Sequence, residues 1–180
     1  MTNLSLVVVL AEDEMQARFV RRYLERLYNA RPPQIRVVKL PNGRGCGEQW
    51  VREHYASEVK EFRKRSAKAA TVLVVVIEAD KEETSVRLQE LQKGSSPLRT
   101  EKEKIVHFLP KRNIETWIRF LNGTIVNENT SYKNWAADLG PQIKPAAATL
   151  FEWSRKNAPA PDHCIPSLSQ AIPEVRRLET

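Results

Sequence analysis

The chain has 180 residues and a formal net charge of +7 at pH 7, a length that suits one domain with its own core. Its balance of hydrophobic and charged residues excludes disordered and fibrous classes. The longest apolar runs, 6–11 and 69–77, are too short for a membrane span and lack the flanks of a signal peptide. Cys46 and Cys164 offer no disulfide framework and no zinc spacing, so we predict a cytoplasmic protein. The positive charge favours a polyanionic partner, and the shortness of the apolar runs predicts that the membrane is not a partner.

Apolar runs and amphipathic segments alternate along most of the chain. In chain order the pattern predicts strand 4–11, helix 13–28, strand 35–40, a glycine-bearing turn 41–47, helix 48–68, strand 71–77, helix 82–93, a polar loop 94–100, strand 105–109 and helix 113–121. The remainder, 122–180, is predicted as helical segments broken by prolines: Pro141, Pro145, Pro159, Pro161, Pro166 and Pro173.

Strand–helix–strand alternation predicts the fold class. It implies right-handed crossovers and a parallel sheet of about four strands flanked by helices, an α/β fold. We expect residues 1–122 to form this core and residues 123–180 to form a helical C-terminal extension packed on the same domain.

Acidic residues follow the predicted strands. Glu12 ends the first strand, Glu78 and Asp80 follow the third, and Glu115 lies just beyond the fourth. Function gathers beyond the carboxyl ends of parallel strands, and residues two apart on an extended segment share a face, so Glu78 and Asp80 should point the same way. A cluster of carboxylates suits Mg²⁺ or Mn²⁺ and phosphodiester cleavage. The alternative is that these acids cap helices or lie in solvent.

Basic and glycine residues supply further candidates. Arg44 and Gly45, in the turn before the second helix, are predicted to contact a nucleic-acid backbone, with a turn that binds nothing as the alternative. Lys111 and Arg112 lie near Glu115 and could hold a phosphate or stabilise negative charge, which makes Lys111 a catalytic candidate. Lys133 is a weaker case of the same kind, and a solvated side chain is the alternative for all three.

The order of these motifs resembles the Toprim fold of type IA topoisomerases, primases and nucleases of the OLD (overcoming lysogenization defect) group. Segment 10–24, LAEDEMQARFVRRYL, is similar to the family segment whose glutamate precedes a helix with an aromatic residue, here Glu12 and Phe19. Segment 108–123, FLPKRNIETWIRFLNG, is similar to the fourth-strand segment, where an acid precedes a tryptophan, here Glu115 and Trp117. The tail IPSLSQAIPEVRRL is similar to the closing helix.

The resemblance implies roles for the acids. Glu12 would transfer a proton or contact the metal, Glu78 and Asp80 would hold Mg²⁺ (or Mn²⁺), and Glu115 would be a second-metal ligand. It also implies DNA rather than RNA as substrate, and an ATPase partner in a phage-defence or repair system. The chain departs from the family at Asp13, where glycine is usual, and at Glu78, where aspartate is usual.

Three functions are compatible with these features. The first is a metal-dependent nuclease or nicking subunit that hydrolyses nucleic-acid phosphodiesters. The second is a catalytically degenerate Toprim-like subunit that binds nucleic acid or an ATPase partner without chemistry. The third is a phosphatase or phosphotransferase for small molecules, which would use the same acids without a DNA-binding surface.

Overall fold

Strands and helices alternate as far as Leu121, and two further helices follow. The computed structural model describes residues 4–29, 33–41, 45–133, 138–159 and 161–178. Within these ranges the elements are β1 (Leu6–Ala11), α1 (Glu14–Leu27), β2 (Gln34–Lys39), α2 (Gly47–Ser66), β3 (Thr71–Val76), α3 (Thr84–Gln92), β4 (Ile105–Phe108), α4 (Ile114–Leu121), α5 (Gly140–Ser154) and α6 (Pro166–Arg176). The predicted strands and helices up to α4 are all present, with ends displaced by at most two residues.

β1 and β3 are the central strands of a four-stranded, all-parallel sheet with the order β2-β1-β3-β4. Val9 of β1 pairs with Val37 of β2 on one side and with Val74 of β3 on the other. The predicted fold class, a parallel α/β sheet followed by C-terminal helices, is confirmed. Because β1 and β3 are parallel neighbours, the segments that follow them leave the same edge of the sheet side by side.

Helices cover both faces of the sheet, which explains the uniformly apolar strands. Val7 and Val9 pack in a cluster with residues of α1, α4, α5 and α6. Val8 and Leu10 point to the opposite face and pack with α2 and with Leu91 of α3. In the part of the chain that the structure describes, no helix combines the length and the apolar character that a membrane crossing requires.

The prediction that prolines break the C-terminal helices is wrong for Pro145 and Pro173, which lie inside them, whereas Pro159 and Pro161 lie between α5 and α6. Pro141 and Pro166 occupy the first turns of α5 and α6, where a missing N–H loses no helical hydrogen bond. Pro145 and Pro173 lie in the helix interiors. Each removes one backbone hydrogen bond, and both helices persist because their apolar faces are buried in the core.

His107 of β4 is a buried core residue, as predicted. Its Nε2 lies 3.0 Å from the hydroxyl oxygen of Tyr55 on α2, and its Nδ1 has no hydrogen-bond partner among the described residues. Burial, reinforced by the positive charges of Arg99 and Arg177, lowers the pKa of His107 to about 3. The imidazole is therefore neutral in the folded protein at neutral pH.

We predict that His107 makes the protein less stable in acid. Between pH 7 and pH 5 the unfolded chain binds a proton at His107 that the folded chain does not bind. The free energy of unfolding should therefore fall by about 2 kcal/mol from this residue. His107→Gln should remove that part of the pH dependence in urea unfolding, while His54→Gln, a partly buried control on α2, should retain it. An unchanged pH dependence in His107→Gln would contradict the neutral buried imidazole.

Candidate active site

Two of the predicted glutamates meet at the carboxyl edge of the sheet. Glu12 follows β1, and its Oε1 accepts a hydrogen bond from the backbone N–H of Glu78, which lies beyond the end of β3, at 2.5 Å. The backbone N–H of Glu12 donates to Oε1 of Gln16 in the first turn of α1 at 3.0 Å. Glu12 is thereby held between the neighbouring central strand and its own following helix.

The carboxylate of Glu78 is buried and bound on both oxygens. Its Oε1 accepts the backbone N–H of Ile114, the first residue of α4, at 3.0 Å. Its Oε2 lies 3.2 Å from Nζ of Lys133, whose side chain is half exposed. A helix N-terminus and an ammonium group therefore both stabilise a negative charge at Glu78.

Glu115, in the first turn of α4, brings a third carboxyl group to this edge. The residue is 9% exposed, and its Oε2 is buried with no hydrogen-bond partner in the described ranges. Burial, with the negative charges of Glu78 and Asp13, raises the pKa of Glu115 to about 7. An orphaned carboxylate oxygen of this kind is costly unless a proton or a cation neutralises it.

Burial and neighbouring negative charges also raise the pKa values of Glu12 and Glu78. Burial, followed by the charge of Glu78, raises the pKa of Glu12 to about 8. Burial also raises the pKa of Glu78, although Lys133 opposes this. We call Glu12, Glu78 and Glu115 the carboxyl cluster. Glu12 and Glu115 therefore both have pKa values near neutral pH, well above that of an ordinary glutamate.

Glu78 and Asp80 do not lie on one extended strand, so the reason for expecting them to point the same way does not hold. β3 ends at Val76, and Asp80 has a φ of 56°, so the alternation of an extended strand no longer applies. The side chain of Asp80 is exposed, whereas Glu78 is 3% exposed. The charge of Asp80 nevertheless acts on Lys133, because together with Glu78 it helps to raise the pKa of that ammonium group.

The predicted basic residues are placed differently from one another. The ammonium group of Lys111 is buried and bound to Glu83, so it is paired outside the carboxyl cluster. Arg112, on the turn between β4 and α4, has a buried Nε without a hydrogen-bond partner in the described part of the chain. Gly45 is exposed with a φ of 75°, and Arg44 lies outside the described residues.

The sequence analysis missed two residues that support the site. Gln16 lies one helical turn beyond Glu12, a spacing that could have marked it as a partner. Gly47, the first residue of α2, lies against Glu12: an added Cβ would come within 2.9 Å of the Glu12 Cβ and 3.0 Å of its carbonyl oxygen. Nothing in the local sequence distinguishes Gly47 from the other glycines of its turn.

The donor chemistry of the cluster fits a hard divalent cation, because carboxylate oxygens are the ligands that Mg²⁺ and Mn²⁺ prefer and one of them is orphaned. Among the described residues, however, no three histidine, cysteine, aspartate or glutamate side chains are arranged as a metal-binding group. Comparisons with protein-family models, curated proteins and solved structures give no match to this chain.

We predict that Gly47 is required for the packing of α2 on Glu12. Gly47→Ala places a Cβ against backbone atoms that cannot move aside, and should lower the free energy of unfolding by about 1–3 kcal/mol. Gly94→Ala is the matched control, since its Cβ meets only the Cβ of Ala56 at 3.8 Å. Urea unfolding of both variants measures the difference, and equal stability would contradict the close approach.

We predict that ionisation of Glu12 destabilises the fold. Because its pKa is about 8 when folded and 4.5 ordinarily, the folded chain holds a proton over this interval and loses stability as the pH rises through it. Glu12→Gln cannot ionise, so it should exceed the wild type in free energy of unfolding at pH 9, by on the order of a few kcal/mol, and match it at pH 4.

Glu14→Gln is the control for this measurement, because Glu14 lies two residues away with its side chain 63% exposed. It should leave the difference between pH 4 and pH 9 unchanged. A Glu12→Gln variant that gains no stability at pH 9 relative to pH 4 would show that Glu12 ionises normally.

Proposed function

We propose that the protein is a metal-dependent phosphodiesterase that cleaves nucleic acid, with Glu12, Glu78, Asp80 and Glu115 holding Mg²⁺ or Mn²⁺. The observation that carries the proposal is the carboxyl cluster itself. It buries three carboxyl groups at the carboxyl edge of a parallel sheet, where ligands of such folds bind. Purely structural buried acids are normally hydrogen-bonded or paired, whereas Glu115 Oε2 has no hydrogen-bond partner among the described residues.

The chain's own residues have separable tasks in this proposal. Glu12 would transfer a proton or hold the metal, as the resemblance implies, and the N–H of Glu78 fixes its orientation. Arg112 offers a guanidinium group for a phosphate, and Lys133 places an ammonium group beside Glu78. A bound Mg²⁺ or Mn²⁺ would polarise a phosphoryl oxygen and stabilise the leaving oxygen.

The nature of the substrate follows from charge and from the resemblance to Toprim proteins. A net charge of +7 favours a polyanion over a small phosphate ester. DNA, an ATPase partner and a defence or repair setting are implied by the resemblance alone. A cytoplasmic location agrees with Cys46 and Cys164, which are both free thiols.

A binding subunit without chemistry is the second candidate, and Lys133 is the observation that favours it. Its ammonium group already neutralises Glu78, so part of the carboxyl cluster is satisfied without a metal ion. The glutamate at position 78, where the Toprim family usually has aspartate, agrees with the same alternative. In that case Glu12 and Glu115 would be kept neutral by protons.

Cleavage of supercoiled plasmid and single-stranded DNA in Mg²⁺ or Mn²⁺ tests the proposal. We expect metal-dependent cleavage that Glu12→Gln and Asp80→Asn each reduce by at least about 100-fold, the usual size of a lost acid–base or metal group. Glu14→Gln should cleave at the wild-type rate, because its exposed side chain pairs with Lys39 and is not one of the proposed metal ligands.

The two candidate functions differ in this assay. A folded wild-type protein that binds DNA but cleaves it in neither metal, or cleavage that both variants retain, would overturn the phosphodiesterase proposal. DNA binding that persists in Glu12→Gln and weakens with salt would then support the binding subunit.

A further inference from the structure

The free edge of β4 is capped by an ion pair instead of a fifth strand. The carbonyl groups of Lys104 and Phe108 accept hydrogen bonds from the N–H groups of Leu73 and Ile77. Because alternate residues of a parallel strand bond to opposite sides, the backbone groups of Ile105 and His107 face away from β3. Nη1 of Arg99 donates to the carbonyl of Ile105 at 2.7 Å. Oε2 of Glu174, on α6, accepts the N–H of His107 at 3.1 Å. Arg99 and Glu174 also bind each other, and together they mimic the polar edge of a strand.

The ion pair leaves the last part of this edge open. Continuing the alternation, the next outward-facing groups are the carbonyl of His107 and the N–H of Leu109. The N–H of Leu109 has no hydrogen-bond partner among the described residues. Both residues line a cavity of about 280 Å³, which we call the edge slot. The alternation therefore directs a backbone donor and acceptor, two residues apart, to the side of β4 on which the edge slot lies.

The edge slot lies between α3 and α6, which pack on opposite faces of the sheet. Leu88 of α3 and Ala171 of α6 provide apolar walls, and Thr84 Oγ1 donates to Gln170 Oε1 at 2.6 Å to join the two helices. A flat ligand in the slot would therefore continue the plane of the sheet, with its faces against the walls and one edge toward β4.

The edge slot carries no net charge. Arg99 and Glu174 compensate each other, and the remaining lining side chains are hydroxyl, amide or apolar groups apart from His107. The side chain of His107 is 2% exposed, and its Nδ1 is a buried polar atom without a partner in the described ranges. An uncharged ligand with both apolar faces and hydrogen-bonding atoms suits these surroundings.

We propose that the edge slot binds an adenine-type nucleobase. The exocyclic amino group of such a base would donate to the carbonyl of His107, and the adjacent ring nitrogen would accept the N–H of Leu109. The apolar ring faces would contact Leu88 and Ala171. This inference does not depend on the carboxyl cluster or on the proposed cleavage of nucleic acid.

Titration of the ¹⁵N-labelled full chain with adenosine tests this proposal by NMR. We expect a saturable shift of the Leu109 amide resonance. N⁶,N⁶-dimethyladenosine lacks the amino hydrogens and should bind at least about 10-fold more weakly, because the carbonyl of His107 loses its donor. Ser85→Phe fills the mouth of the slot from an exposed position and should weaken adenosine binding by a similar factor.

Val86→Phe is the matched control, since Val86 is the next residue of α3, is 39% exposed and does not line the slot. It should bind adenosine as the wild type does. Displacement of adenosine by single-stranded oligo(dA) would assign the slot to a base of a nucleic acid, and retention would assign it to a free nucleoside. No saturable shift of Leu109 in the folded wild type, or equal binding of the dimethylated analogue, would overturn the proposal.

Discussion

The hydrogen bond from the backbone N–H of Glu78 to the carboxyl group of Glu12 is the contact on which the candidate site depends. It joins the ends of the two central strands directly. The side chain of Glu78 then bonds to the N–H of Ile114 and pairs with Lys133, which brings in α4 and the segment that precedes α5. Glu78 therefore connects the ends of β1 and β3, the start of α4 and the segment that precedes α5.

The hydrophobic core makes this concentration of acids possible. Every residue of β3 is buried, as are Val7 to Ala11 of β1, so the strand ends cannot separate to relieve the repulsion between carboxylates. The folded chain responds by raising the pKa of Glu12 to about 8 and that of Glu115 to about 7. Protonation reduces the cost of burial, and binding of a cation would reduce it by displacing those protons.

Much of this arrangement could be predicted from the sequence. The strands could be predicted from uniformly apolar runs, because helices cover both faces of the sheet. The parallel topology then predicted that Glu12 and Glu78 lie at the same edge. The direction of Asp80 could not be predicted, since its positive φ depends on how the chain turns after β3. The pairing of Lys111 with Glu83 has no sequence signal, because residues 28 positions apart meet only in the folded chain.

The two borders of the sheet present the same physical problem, which is to satisfy polar groups at the limits of a hydrogen-bonded ladder. At the carboxyl border the Glu12 carboxyl accepts the N–H of Glu78, and at the free edge Arg99 and Glu174 bind β4. Among the described residues, one polar atom at each border has no hydrogen-bond partner. It is Glu115 Oε2 at the carboxyl border and the Leu109 N–H at the free edge.

Polar atoms in folded proteins normally bond to protein or to water, so an atom without a protein partner beside a cavity or a charged cluster is a place where a ligand could bond. The unpaired atoms at the two borders differ in chemistry. An anionic oxygen among acids calls for a proton or a cation, whereas a neutral donor and acceptor between apolar walls call for an uncharged ring. The carboxyl cluster is acidic, whereas the edge slot carries no net charge, so different chemical groups would satisfy the unpaired atoms at these two borders of the sheet.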